Sequence, residues 1–187
     1  MFVQGYTNLL YGTGGIMICR RYTQTLFFDE KITNGEDTKF IYQMLLQRAD
    51  VIILNKDWYY YRKYENTSSK TRTVETCQSM YKCESYIRDA ELKKGRIVNS
   101  VKREQILLNR MCEWYITGKQ RHDTQLCNYM KKTAAKEYAS KHFQQISLCN
   151  KIKFSLAFYC LPLYWLYNIF SIIIVTILYY IKTKYRF

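Results

Sequence analysis

Two adjacent carboxylates, Glu36 and Asp37, have the clearest capacity for chemistry in this sequence. They follow Asn34 and Gly35 and fall in the first turn of a helix predicted over 36–49, where apolar residues recur at helical spacing. A carboxylate at a helix N-terminus is stabilised in its ionised form by the helix dipole and by free backbone N–H groups, and an ionised carboxylate can accept a proton. The same Asn-Gly-Glu-Asp order is also a common helix cap, so these residues alone leave both interpretations open.

Four further residues are candidates for binding a substrate. Arg62 follows three tyrosines, and its guanidinium group suits a phosphate or carboxylate, although a surface arginine at the end of a strand fits equally well. Trp58 and the tyrosines offer faces for stacking on a sugar, or for packing in a core or against a membrane. Gly14 and Gly15 belong to a Gly-Thr-Gly-Gly turn that could shape a binding loop, but such turns are common.

These residues belong to a longer pattern. It comprises Phe27-Phe-Asp-Glu-Lys-Ile-Thr-Asn-Gly-Glu-Asp-Thr-Lys-Phe40, Leu45-Leu46, Ala49, Val51-Ile52-Ile53, Tyr59-Tyr-Tyr-Arg62 and Ser68-Ser69. On this pattern, residues 12–72 resemble the second, acceptor-side half of the catalytic domain of the family-two, inverting glycosyltransferases, which have the GT-A fold.

The resemblance implies a mechanism. In an inverting sugar transfer, a carboxylate takes the proton from the acceptor hydroxyl as that hydroxyl attacks the anomeric carbon, a form of help worth about 10²–10⁴-fold. The family pattern assigns this role to Asp37 and a supporting role to Glu36. It also implies that Arg62 meets the donor pyrophosphate or braces the base.

The resemblance further implies an α/β fold class. Residues 1–72 would form part of a Rossmann-like GT-A domain that lacks its N-terminal nucleotide-binding half. The residue pattern agrees with short buried strands at 16–19 and 51–54 and with an extended segment at 58–62.

A helical region over 73–150 and a membrane-associated apolar tail over 151–187 are expected to follow. Glycines punctuate the helices of this region. The predicted helices span 74–93, 101–117 and 123–147.

The tail carries the membrane prediction. Residues 163–181 contain no charge and have aromatic residues at both ends, which suits a transmembrane helix of about 20 apolar residues. Basic residues flank both ends, so charge does not orient the segment. Residues 154–161, which precede Pro162, could instead form a kinked hairpin or an in-plane anchor, and a buried helix of a soluble core is a third interpretation. The expected partners are membrane lipids, at the cytoplasmic face of the cell (inner) membrane.

The residues of this sequence that could bind a metal ion lack the spacing of a known metal-binding motif. GT-A enzymes hold Mg²⁺ or Mn²⁺ through an Asp-x-Asp motif that bridges the donor diphosphate, and no aspartate pair here has that spacing. We therefore expect no cofactor in this chain, with the metal ion, nucleotide sugar and glycan acceptor bound only when a donor-binding half completes the enzyme. The seven cysteines include no Cys-x-x-Cys pair, which argues against zinc and predicts reduced thiols in a cytoplasmic protein.

The charge balance indicates an anionic partner, and together with the features above it leaves two functions open. With 29 basic and 15 acidic residues, the net charge is +14, which favours anionic lipids, phosphorylated substrates or nucleic acid. No nucleic-acid module is recognisable and the lysines are spread out, so no nucleic acid is expected. The first function is a fragment of a glycosyltransferase, inactive alone, that acts on a lipid-linked or polysaccharide acceptor. The second is a non-enzymatic, basic membrane-binding remnant or a partner subunit.

Overall fold

A computed structural model describes residues 16–47 and 72–184, with side chains described as far as residue 177. The described residues form eight helices. They are α1 (Arg20–Thr23), α2 (Glu36–Leu46), α3 (Val74–Lys93), α4 (Ile97–Gln120), α5 (Thr124–Tyr138), α6 (Lys141–Gln145), α7 (Leu148–Tyr159) and α8 (Leu161–Lys184).

The predicted α/β, Rossmann-like fold class is wrong. Every regular element in the described ranges is a helix, and these ranges contain no β-strand. The segment 16–19, predicted as a strand, has no regular secondary structure before α1. Ile16 and Ile18 pack against a helical core, whereas Met17 is 93% exposed. Alternating burial therefore arises here from a segment packed on helices, without a sheet. The strand at 51–54 and the extended segment at 58–62 lie outside the described residues.

The chain divides into two compact units, residues 1–107 and 108–187. In the first unit, α2 packs on α3, because the apolar residues of α2 recur at helical spacing and need a covering surface. The core cluster consists of Phe40, Ile41, Tyr42, Met44, Cys83 and Ile87.

Buried ion pairs join α3 to the start of α4 within the first unit. The Arg88 guanidinium donates to Glu104 at 2.6 Å, and that of Arg103 donates to Glu84 at 3.3 Å. Both glutamates are fully buried. A buried charge is tolerated when it is paired, so these pairs hold α3 and α4 in one register. Gly95, at φ +71°, lies in the turn between the two helices.

In the second unit, the sequence pattern misplaced two helix boundaries. Gly118 lies inside α4, where an added Cβ would come within 3.0 Å of the Cys127 sulfur, so this glycine permits a close approach of α5. The helix predicted over 123–147 is divided after α5. The Ser140 hydroxyl accepts a hydrogen bond from the Phe143 N–H at 3.1 Å and starts α6.

Aromatic residues of α6 and α7 form a cluster in the core of the second unit. Phe143 and Phe154 lie 5.7 Å apart between ring centroids, and Phe154 lies 4.9 Å from Phe158. On α8, Tyr164 is buried, alone among the side chains described there. In the described part of the chain, no helix is both long enough and apolar enough to cross a membrane, so the predicted transmembrane helix is unsupported.

Candidate functional site

The predicted carboxylate pair lies at the first two positions of α2. Gly35 precedes it as the N-cap, with φ +92° in the left-handed region, which glycine adopts without the clash that a Cβ would cause. No side chain caps this helix through a hydrogen bond at the N-cap position. The glycine therefore sets the direction in which α2 begins.

Helix α3 fixes the loop that leads into α2. The Ser79 hydroxyl accepts from the Asn34 N–H at 3.1 Å and donates to the Asn34 carbonyl at 3.3 Å. The Cys83 thiol donates to the Gly35 carbonyl at 3.1 Å. Both side chains are buried, so the backbone polar groups of residues 34 and 35 bind partners on a second helix rather than water.

The Asp37 side chain is half-buried, and one of its two carboxylate oxygens accepts hydrogen bonds. Its Oδ1 accepts a hydrogen bond from the Thr38 N–H at 2.6 Å, and the Thr38 hydroxyl lies 3.4 Å from the same oxygen. Among the described residues, none donates a hydrogen bond to the other oxygen, Oδ2. One oxygen of this carboxylate is thus held by the helix start, while the second can accept a proton or a donor from outside. Glu36 is half-buried beside it.

A second carboxylate, Asp29, lies on the segment alongside α2. Lys39 forms an ion pair with Asp29 and lies over the Tyr86 ring, 4.9 Å from its centroid. The hydrogen bond from the Lys39 ammonium, together with that from the backbone of Lys31, lowers the pKa of Asp29. Asp29 is therefore already neutralised by a neighbour, which makes it a weaker candidate for a base than Asp37.

An aromatic pair covers the next turn of α2. The rings of Phe28 and Phe40 stack with centroids 4.4 Å apart. Phe28 remains 49% exposed and its neighbour Phe27 is 77% exposed. The segment before α2 thus offers apolar ring surface to solvent within a turn of the carboxylate pair, a surface of the kind on which sugar rings can stack.

Of the sequence-predicted site residues, the structure places Glu36 and Asp37 together at one helix start. Arg62, Gly14, Gly15 and Trp58 lie outside the described residues, so their roles stay predictions.

Sequence reasoning missed Ser79 and Cys83. Their four-residue spacing puts them on one face of α3, but nothing in that spacing indicates which loop they bind.

The described part of the chain contains no group of three or more His, Cys, Asp or Glu side chains arranged to hold a metal ion. Comparison with known proteins gave no match to any protein family, curated protein or solved structure. The resemblance to glycosyltransferases therefore rests on the sequence pattern.

Proposed function

We propose that this chain is the acceptor-side part of a sugar-transferring enzyme in which Asp37 is the general base. The observation that carries the proposal is the carboxylate at the start of α2, held through one oxygen by the Thr38 N–H at 2.6 Å. The quoted sequence pattern, from Phe27 to Ser69, supports the assignment of sugar transfer as the reaction.

The chemistry requires an ionised carboxylate in a fixed position. The hydrogen bond to Oδ1 fixes the orientation of the Asp37 carboxylate. Oδ2 then takes the proton from the acceptor hydroxyl. The acceptor oxygen forms its bond to the anomeric carbon as the bond from that carbon to the nucleotide diphosphate breaks, which inverts the configuration.

The donor is assigned to a separate donor-binding part. In the proposed enzyme, that part holds the nucleotide sugar and supplies the Asp-x-Asp motif, with Mg²⁺ or Mn²⁺ neutralising the diphosphate. This chain would supply the base and the surface for a glycan acceptor, which is lipid-linked or part of a polysaccharide.

The test is a matched pair of variants, assayed with the chain combined with a donor-binding chain. Asp37→Asn keeps the size of the side chain and its hydrogen bond from Thr38 but removes the proton acceptor, so turnover should fall by about 10²-fold or more. Glu36→Gln should lower turnover less. Thermal stability should be similar in the two variants, since each removes one negative charge from the first turn of α2. Full turnover in Asp37→Asn would refute the assignment and leave this segment as a helix start.

A second candidate function is a non-enzymatic subunit that binds membranes. The exposed apolar surface of α8 favours it. In that case the Asp37→Asn variant would behave like the parent chain in every assay, while changes in α8 would abolish its action.

A further inference from the structure

Helix α8 exposes an unusual amount of apolar surface. Between residues 163 and 177, ten large hydrophobic side chains are about half exposed or more. They are Leu163, Trp165, Leu166, Ile169, Phe170, Ile172, Ile173, Ile174, Val175 and Ile177. Exposed apolar patches of this kind mark sites where another phase or partner covers the protein.

In the first half of α8 one stripe is covered, at Tyr164, Tyr167, Asn168 and Ser171, whereas beyond Ser171 the exposure surrounds the helix. Residues 172–177 are six consecutive exposed positions, which is more than the 3.6 residues of one helical turn, so no side of this stretch is covered. A partner helix, including one from a second copy of this chain, would cover a stripe and leave polar residues on the opposite side. Apolar residues on all sides of a helix instead suit an apolar surrounding such as lipid acyl chains.

The polar side chains of α8 are compatible with the same environment, although Ser85 on α3 and Thr117 on α4 make the same kind of hydrogen bond. Asn168 donates to the Tyr164 carbonyl at 2.9 Å, and Ser171 donates to the Tyr167 carbonyl at 2.8 Å. The Thr176 hydroxyl donates to the carbonyl of the residue four positions earlier at 2.9 Å. Each of these donors therefore finds its partner within the helix, as a side chain must where no water is present.

Charge selects the kind of lipid. The sequence has no charged residue from 154 to 181, and basic residues stand on both sides of this stretch. They are Lys151, Lys153, Lys182, Lys184 and Arg186. Lysine and arginine next to an apolar segment bind anionic headgroups. We infer that the exposed apolar side chains of α8, within residues 163–177, insert into the acyl-chain region of an anionic lipid bilayer. This inference does not depend on the role of Asp37.

The start of α8 ties this surface to the rest of the second unit. Tyr164 is buried there, and the Tyr167 hydroxyl donates to the Cys149 carbonyl at 3.5 Å. Changes beyond Ile172 should therefore remove lipid contacts without opening the core.

The experiment is flotation of the full chain, made by cell-free synthesis in the presence of vesicles of equal parts phosphatidylcholine and phosphatidylglycerol. The test variant is Ile173→Asp with Ile174→Asp, two exposed positions on α8. The control is Val98→Asp, an apolar residue of α4 that is 63% exposed. The parent and the control should float, and should stay bound after a high-salt wash because acyl-chain burial is not screened. The double variant should lose binding by at least about tenfold per aspartate.

Fluorescence gives a second readout in the same samples. Trp165 is 49% exposed and Trp114 is buried, and the third tryptophan, Trp58, lies outside the described residues. In a chain that carries Trp58→Phe, quenching by lipids with brominated acyl chains should therefore appear, and it should disappear when Trp165→Phe is added. Failure of the parent to float, release by high salt, or equal binding of the double variant would each overturn the inference. A parent chain that stays off vesicles and sediments as a dimer, and a double variant that sediments as a monomer, would assign the surface to a second copy instead.

Discussion

At the residue scale, one glycine determines how α2 starts. Gly35 combines a left-handed backbone with a crowded site, since an added Cβ would lie 3.1 Å from the Met80 sulfur and 3.2 Å from the Cys83 Cβ. The backbone angle and the neighbouring helix together favour glycine over any residue that has a Cβ atom. The position of the proposed base therefore depends on a residue that carries no chemistry of its own.

Gly35→Ala should lower the free energy of unfolding by more than Gly95→Ala does. Gly95 also has a left-handed backbone, at φ +71°, but a Cβ there would meet nothing within 4 Å. Gly95→Ala should thus show the backbone cost alone, about 1 kcal/mol, and Gly35→Ala should show that cost plus the contact with α3. Urea unfolding of both variants measures the difference. Equal losses would show that the loop moves away from α3 at no cost.

The sequence could identify the carboxylate pair because its signals are local. The glycine, the two acidic residues and the helical apolar pattern all lie within residues 35–45. The clamp on residues 34 and 35 comes from Ser79 and Cys83, which lie 45 and 48 positions away in the sequence. No local pattern specifies such a pairing, so half of the site became visible only in the structure.

At the element scale, the difference between local sequence signals and contacts between distant residues explains which helices were predicted well. Helix α3 runs over Val74–Lys93, as predicted, because Thr73 caps it and Gly95 follows it closely. The segment at 16–19 was predicted as a strand because a short apolar run has the same alternation whether it pairs in a sheet or packs on helices. The family pattern then extended that error to an α/β fold class.

Glu91 joins three helices of the first unit. It accepts hydrogen bonds from the Tyr42 hydroxyl at 2.7 Å, from Arg96 at 3.1 Å and from Asn99 at 2.8 Å. These donors stand on α2, in the turn before α4 and on α4. Because all of them converge on one buried carboxylate, the packing of α2, which carries Asp37, depends on this network.

The network should make the first unit sensitive to alkali. Burial, and then the hydrogen bond to Glu91, raises the pKa of Tyr42 above its ordinary value. An unfolded tyrosine ionises near pH 10. The contribution of Tyr42 to the free energy of unfolding is therefore complete below that pH, and it is lost as the pH rises toward the folded-state pKa.

Between about pH 8 and about pH 11, the parent should therefore lose about 1 kcal/mol more than Tyr42→Phe in free energy of unfolding. Urea titrations at the two pH values provide the measurement. Parallel losses in parent and variant would show that Tyr42 titrates in the folded state as it does in the unfolded chain.

At the scale of the whole molecule, each unit has its own core, and this decides how the tail can be altered. Phe154 is 1% exposed and Phe158 is 7% exposed, so a truncation at residue 154 removes core residues of the second unit. Residues from Ile172 onward are exposed as far as side chains are described. A truncation that tests membrane binding should therefore start at Ile172.

Cysteine labelling should report the burial pattern of both units at once. Cys19 and Cys149 are exposed, and four other cysteines are buried. The buried ones are Cys77, Cys83, Cys112 and Cys127. Burial raises the pKa of Cys112 to about 12 and also raises that of Cys127, which suppresses the reactive thiolate.

With an aromatic disulfide reagent at neutral pH, Cys19 and Cys149 should react within the dead time of the assay. The four buried thiols should react only on the timescale of unfolding, and peptide mass spectrometry identifies them. Rapid reaction of Cys112 in the absence of denaturant would contradict the packing of α4 described here.

The central claim, that this chain supplies the acceptor side and the base of a sugar transfer, is tested most directly by radiolabelled sugar transfer to a lipid-linked acceptor. The chain should be assayed alone, with a donor-binding chain, and with that chain after Asp37→Asn. Transfer should appear only in the combined sample and should fall by about 10²-fold or more in the variant. Tight Mn²⁺-dependent binding of a nucleotide sugar by this chain alone, or undiminished transfer by Asp37→Asn, would contradict the account.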